Sequence, residues 1–280
     1  MIDSHAHVHD EKFDVDRENV IKRFFDSGGE AIITVGTNEQ TSKQAIELAK
    51  KYENIYATIG LHPLHLFECG ACDEEEQKVE VFDYQKYLEL AKNDSVVAIG
   101  EVGLDYHHFG EGDDTEKFKS EQKRVLIEFI KICNEVNKPI VIHCWDGYDE
   151  LLEVLAQNPL CPSDISPFKK GGEIGCGVIH SFIGSWKTAQ KFIDLGFKIG
   201  LNGIATYGES YDKLIRNIDL KDVLIETDAP YLPPRPLPRE NRCESKDVKL
   251  VAQKIAQAKK INVKEVLQVT TQNAKKLFKI

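Results

Sequence analysis

The chain has 280 residues, 41% hydrophobic and 29% charged, with a formal net charge of −10. That length allows one large domain or two small ones with a sizeable core. The sign excludes a protein that coats nucleic acid with a basic surface, though not an enzyme that grips one phosphodiester locally, and no apolar run approaches the roughly 20 residues of a membrane span.

Residues 1–8 read as a strand ending in His5-Ala6-His7. No export-signal pattern precedes it, so cytoplasm or nucleus is expected. Asp14 or Asp16 can cap a helix with Val20, Ile21, Phe24 and Phe25 on its apolar face, stopped at Gly28-Gly29. A strand over 31–35, a helix over 38–52 and a strand over 55–61 follow, the last closing on Gly60-Leu61-His62-Pro63. An acidic insert at 67–80 carries Cys69 and Cys72 at CxxC spacing. With no second pair and no strand–helix context, they read as loop cysteines, and seven cysteines in such a chain argue against a disulfide framework.

A helix over 84–92 leads into the stretch around which the chain is organised. Val96-Val97-Ala98-Ile99 is apolar without helical spacing, as in a strand buried on both faces, and then Glu101 appears between Gly100 and Gly103. A buried carboxylate there needs a cation or a metal. The next helix is the clearest, with Phe118, Val125, Leu126, Phe129, Ile130, Cys133 and Val136 on one face. A strand over 139–142 ends at His143-Cys144-Trp145, a helix over 148–157 follows, and a second insert spans 158–175 with Lys169-Lys170. Strands over 177–179, 197–201 and 223–225 alternate with helices near 186–193 and 211–218. The first of these strands ends at His180-Ser181 and the last at Glu226-Thr227-Asp228. A loop rich in Pro and Arg precedes helices over 248–258 and 263–278.

Strand then helix, eight times, predicts an α/β fold of the (β/α)8 TIM-barrel class, residues 1–280 forming a single domain. A doubly wound open sheet is the alternative, disfavoured because polar residues close at least six strands rather than one switch point. His5 and His7, two apart, share a strand face. Together with Glu101, His143, His180 and Asp228, all at C-terminal strand ends, they predict a metal site. Six ligands exceed what one tetrahedral ion uses, so two divalent ions are expected, Mg²⁺, Mn²⁺ or Zn²⁺, with Glu101 as the bridge. His5, His7 and Asp228 would complete one ion, and His143 with His180 the other. Asp228 is also a candidate acceptor for the attacking water's proton.

The segments DSHAH (3–7), GLHP (60–63), GEVGLDYH (100–107), PIVIHC (139–144), HSF (180–182) and ETDAPYL (226–232) resemble the signatures of TatD-type deoxyribonucleases, across nearly the whole chain and in the family's order. The resemblance implies a metal-dependent hydrolase that cleaves phosphodiester bonds in DNA, often as a 3′→5′ exonuclease on single strands, in DNA repair or DNA breakdown. It assigns His62 to the scissile phosphate or the attacking water and Asp105 to orienting a ligand or substrate. Glu226 and Asp3 would support the ligands one layer deeper. After the last strand the family reads close to RGKRNEP. This chain keeps two arginines, Arg239 and Arg242, which could fork onto phosphate, but not the Asn and Pro.

Both inserts are expected on the catalytic face. The protein should act as a monomer with DNA as its partner and no membrane. Alternatives on the same scaffold are an amidohydrolase or esterase acting on a lactone, an amide or a D-aminoacyl-tRNA ester. The strand carrying Glu101 lacks the lysine many amidohydrolases use as a bridge, which favours phosphodiesters. A metal-stabilised interaction protein would be more plausible if a ligand were missing.

Overall fold

The computed structural model describes residues 1–68, 79–160 and 176–280. Cys69, Cys72, Lys169 and Lys170 lie outside the described residues. Eight parallel strands pair in chain order: β1 (Ile2–Ala6), β2 (Ala31–Val35), β3 (Ile55–Ile59), β4 (Val96–Asp105), β5 (Ile140–Trp145), β6 (Gly177–Ile179), β7 (Phe197–Leu201) and β8 (Val223–Ile225). Ala6 pairs in parallel with Ala229. The Asp228 amide donates to the His5 carbonyl at 2.9 Å, which draws the ends of β8 and β1 together. The result is a nearly closed TIM barrel.

Between and after the strands lie α1 (Arg17–Asp26), α2 (Glu39–Lys51), α3 (Tyr84–Ala91), α4 (Thr115–Val136), α5 (Tyr148–Gln157), α6 (Trp186–Asp194), α7 (Asp212–Asn217), α8 (Val248–Lys259) and α9 (Val263–Phe278). Local chemistry sets many of their ends. Asn38 and Thr41 cap α2 reciprocally, Asp114 accepts from the Lys117 amide at the start of α4, and Asn137 ends that helix at φ +53°. Asp16 occupies the N-cap position of α1 without a capping bond, because its carboxylate is turned to arginines instead.

Helix side chains such as Phe24, Ile46, Phe129, Phe192 and Ile255 form one large core against the sheet. A second cluster gathers Ile2, Ile33, Ala98, Val141, Val178 and Leu224 from six strands, which can meet only inside the barrel. Ala274, Leu277 and Phe278 of α9 continue it. The barrel is thus packed apolar below, and polar groups gather at its C-terminal mouth.

The flanks of the two inserts lie at opposite ends of the barrel. The chain leaves for 69–78 beside the mouth, where the Glu80 amide donates to the His65 carbonyl and Glu80 accepts from the first amide of α2. The second insert was expected on that face too, and the structure corrects this. It follows helix α5, and Cys176, where the chain returns, bonds to Ile140 at the start of β5 and to Gly196 just before β7. Its flanks are therefore on the N-terminal rim, away from the site.

Candidate metal centre

Glu101 reaches the mouth because β4 is pressed against its neighbour. A Cβ on Gly103 would strike the His143 carbonyl and one on Gly100 the Val141 carbonyl, and both glycines hold φ near +150°. Only glycine allows that approach together with that backbone. Asp228, just beyond β8, adopts φ +62°, a conformation tolerated by short polar residues and concentrated at functional sites.

Around Glu101 the structure brings together all the expected ligands. His5 Nε2 lies 3.4 Å from Glu101 Oε2 and 3.6 Å from Asp228 Oδ1. His7 Nε2 is 3.3 Å from Asp228 Oδ1. His180 Nε2 is 3.7 Å from Glu101 and 3.8 Å from Asp228. His143 Nδ1 donates to Glu101 at 2.9 Å, while His62 Nε2 stands 3.6 Å from it. Three overlapping groups could each hold an ion: His5, His180 and Asp228; His5, His7 and Glu101; and His62, Glu101 and His143. His5 and His180 thus share a group with Asp228, and His143 shares one with His62 and Glu101.

The donor set fits divalent ions. His5 is fully buried, yet neither ring nitrogen has a hydrogen-bond partner, an omission worth about 1–3 kcal/mol in an ordinary interior. Ligand atoms about 2.1 Å from one tetrahedral ion stand about 3.4 Å apart, close to the spacings around His5 and His7 and too long for good hydrogen bonds.

Neighbouring groups set the rings. His7 Nδ1 donates to the Val35 carbonyl at 2.8 Å, which leaves Nε2 unprotonated toward Asp228 in the neutral ring. His180 Nδ1 lies 2.9 Å from Glu226 Oε1, and its Nε2 faces the cluster. Asp105 holds His143 Nε2 at 2.9 Å and is itself held by His108 and two backbone amides. The carboxylate of Asp105 is therefore engaged with His143, His108 and backbone amides. Asp3 instead accepts from the Thr227 amide and hydroxyl, linking β1 to β8, and burial pushes it up to about 7.

Electrostatics follow from crowding. Burial alone would raise Glu101, but His180, His62 and His5 and the His143 hydrogen bond hold it well below the usual range. Burial opposes Asp228 ionising, and His180, His7 and His5 outweigh it, bringing the carboxyl down to about 2. His143 rises to about 9 on Asp105 and Glu101, and His180 to about 10 on Glu226, Asp228 and Glu101, both against burial. His62 goes the other way, to about 3, through burial and the neighbouring His143.

These groups floor a cavity of about 730 Å³ at the barrel mouth. Its walls include side chains that no motif or periodicity singles out: Lys12, His9, His65, His108, Trp145 and Tyr231. His108, Trp145 and Tyr231 lie in or beside the motif segments, a signal that could have been used. Arg239 and Arg242 are not in the walls. Arg239 stands 4.8 Å from the centre of the Tyr207 ring, and Arg242 binds Asp16 at 2.8 Å and the Lys12 carbonyl at 2.7 Å.

A profile of TatD-related DNases matches residues 2–279. A Bacillus subtilis protein named as an uncharacterized metal-dependent hydrolase, YabD, is 34% identical, covering 100% of this chain and 99% of that one. The "3′-5′ ssDNA/RNA exonuclease TatD" of Shigella flexneri is 30% identical over 100% and 99% of the two chains. The solved structure of YJJV, a TatD homologue from Escherichia coli K12, superposes with a TM-score of 0.82 at 28% identity, covering 100% and 98%. The chain belongs to the TatD-related DNase family and is a metal-dependent hydrolase.

Proposed function

We propose that this enzyme hydrolyses phosphodiester bonds from the 3′ end of single-stranded DNA, with two divalent ions held by His5, His7, Glu101, His143, His180 and Asp228. The observation that carries the reading is the convergence of four histidines on one buried carboxylate, Glu101, two of them also meeting Asp228, at the floor of an open cavity. The exonuclease name of the Shigella relative supports the substrate class. Every proposed ligand comes from one chain, so a monomer would suffice. No described helix is long and apolar enough to cross a membrane, and we place the work in cytoplasm or nucleus, on strands exposed by DNA repair or breakdown.

When bound, divalent ions at such a site lower the pKa of water and neutralise the phosphate oxygens. The protein's own groups do the rest. Asp228, ionised at neutral pH and 15% exposed, accepts the proton of the attacking water. Water's oxygen bonds to phosphorus, the P–O3′ bond breaks, and the leaving 3′ oxygen takes up a proton, releasing a 5′-mononucleotide. His62 is suited to the phosphate. Its Nδ1 accepts from the Leu64 amide at 3.3 Å, and the ring stays neutral, so Nε2 carries the hydrogen and faces the cluster. That tautomer makes His62 a donor to a phosphoryl oxygen rather than a ligand.

The test is purified protein with 5′-labelled single-stranded DNA and, in turn, Mg²⁺, Mn²⁺ and Zn²⁺. A ladder shortening from the 3′ end, abolished by EDTA and in Glu101→Gln, is expected. DNA left intact under every metal would sink the reading and turn attention to lactone, amide and aminoacyl esters on the same cluster.

A further inference from the structure

A protein that binds a strand along several nucleotides needs a cationic track for its phosphates. Among the described residues lining the cavity, the lysine and arginine count is one, Lys12, against Asp10, Glu11, Glu101, Asp105 and Asp228. Nearby arginines are committed elsewhere. Arg17 holds the carbonyls of Val8, His9 and Asp10 at 2.8, 2.9 and 2.9 Å, and Arg242 holds Asp16. Lys12 is placed by Tyr231. Its Nζ is 4.4 Å from the ring centre and 3.3 Å from the hydroxyl, and the Tyr231 ring lies 6.1 Å from that of His7. An ammonium therefore stands one side chain away from the buried cluster. On another wall Trp145 and His108 stack, with ring centres 5.1 Å apart and planes inclined by 29°. Trp145 is two residues beyond His143 on β5, so the stack is fixed to a strand that carries a cluster histidine. The cavity volume falls in the range of about 300–1,000 Å³ common to small-molecule sites.

We propose that the cavity recognises only the last three nucleotides of a strand, with Lys12 on the phosphate beside the one being cut and the Trp145–His108 stack under a base. Trinucleotides are then cleaved as efficiently as long strands. The inference rests on the nuclease reading above. It places the enzyme after reactions that leave short oligonucleotides, which it reduces to mononucleotides.

The experiment compares kcat/KM on thymidine di-, tri-, hexa- and eicosanucleotides at equal concentration of 3′ ends, with Mn²⁺, across a salt series. Values from the trinucleotide upward should agree within about threefold. The slope of log KM against log salt should stay near the roughly 0.7 that one neutralised phosphate contributes on a single strand. Lys12 is exposed, so Lys12→Ala should fold. From the trinucleotide upward it should raise KM about tenfold, the loss of one charge-assisted hydrogen bond, and flatten the salt slope. It should not raise KM for the dinucleotide, which has no second phosphate. Trp145→Ala should raise KM by about the same factor through lost stacking. A rise in kcat/KM of more than about tenfold from trinucleotide to eicosanucleotide, or a slope near that of four neutralised phosphates, would overturn the inference while leaving the nuclease intact. If no length is cut under any metal, the nuclease reading falls first and takes this one with it.

Discussion

Two clusters of charge flank the connection between β1 and α1, and they differ in what each leaves unmatched. In one, Arg23 grips Glu244 at 2.8 and 2.9 Å, Arg242 grips Asp16 at 2.8 Å, and Lys246 meets Glu244 at 2.6 Å. Arg23 is 40% exposed and Arg242 31%. Cation and anion meet at hydrogen-bond distance, and the cluster ties residues 221 and 226 apart in sequence. In the other, His5, His7, His180, Glu101 and Asp228 stand 3.3 to 3.8 Å apart, all but Asp228 buried, with both His5 nitrogens unbonded. A charge cluster that closes on itself holds the fold together. One that keeps its ligand atoms apart is built around something else.

Substitution should have its largest effect in the open cluster. Glu101→Gln should lower hydrolase activity by at least about 10²–10³-fold, assayed with each metal in excess. Asp105→Asn removes the acceptor that orients His143. It should cost about 10–100-fold in metal affinity or activity, as supporting groups of ligands do, read by metal titration alongside kinetics. Divalent metal at one hundred times Kd should stabilise the metal-free protein by about 2.7 kcal/mol, read as a higher melting temperature, and leave Glu101→Gln nearly unmoved.

The closed cluster should behave oppositely. Arg242→Ala should leave kcat within about threefold while lowering stability by about 1 kcal/mol, through the Asp16 pair and the contact with the Phe13 ring at 4.6 Å. A large loss of activity at unchanged stability would restore the phosphate role read from its motif. The smallest effect is in pH. Hydrogen bonds from Arg242, then Arg23, depress Asp16 to about 2. Its contribution is therefore complete above the unfolded carboxylate pKa of about 3.9 and lost as pH falls toward 2. The melting-temperature gap between wild type and Arg242→Ala should narrow over that window.

Much of this was legible in the sequence because barrel strands are short, apolar and polar-ended. β2, β6, β7 and β8 have the residues expected from their apolar runs. Glu101, His143, His180 and Asp228 stand at the end of such runs, so their meeting follows from closure of the barrel. What was hidden depends on contacts between distant segments. Arg242 looked like a phosphate fork until Asp16, 226 residues away, proved to hold it. His9, bonded by Nδ1 to Thr34 at 2.9 Å, and His65 gave no periodic signal, because their place in the wall is set by loops. The flanks of the second insert lie at the other rim because helix α5 intervenes between strand β5 and its start. The meeting of His62 with His143 and Glu101 was likewise invisible, since the strand ends fix which groups lie at the mouth but not which of them face one another.

The most direct measurement is titration of metal-free protein with Mn²⁺, counting bound ions by calorimetry and electron paramagnetic resonance, in wild type, Glu101→Gln and Arg242→Ala. Two ions in wild type and Arg242→Ala, magnetically coupled through a shared carboxylate, with at most one weak ion in Glu101→Gln, is the expected result. No ion bound by wild type, or the same stoichiometry and affinity in Glu101→Gln, would contradict the assignment of Glu101 as the centre of the site.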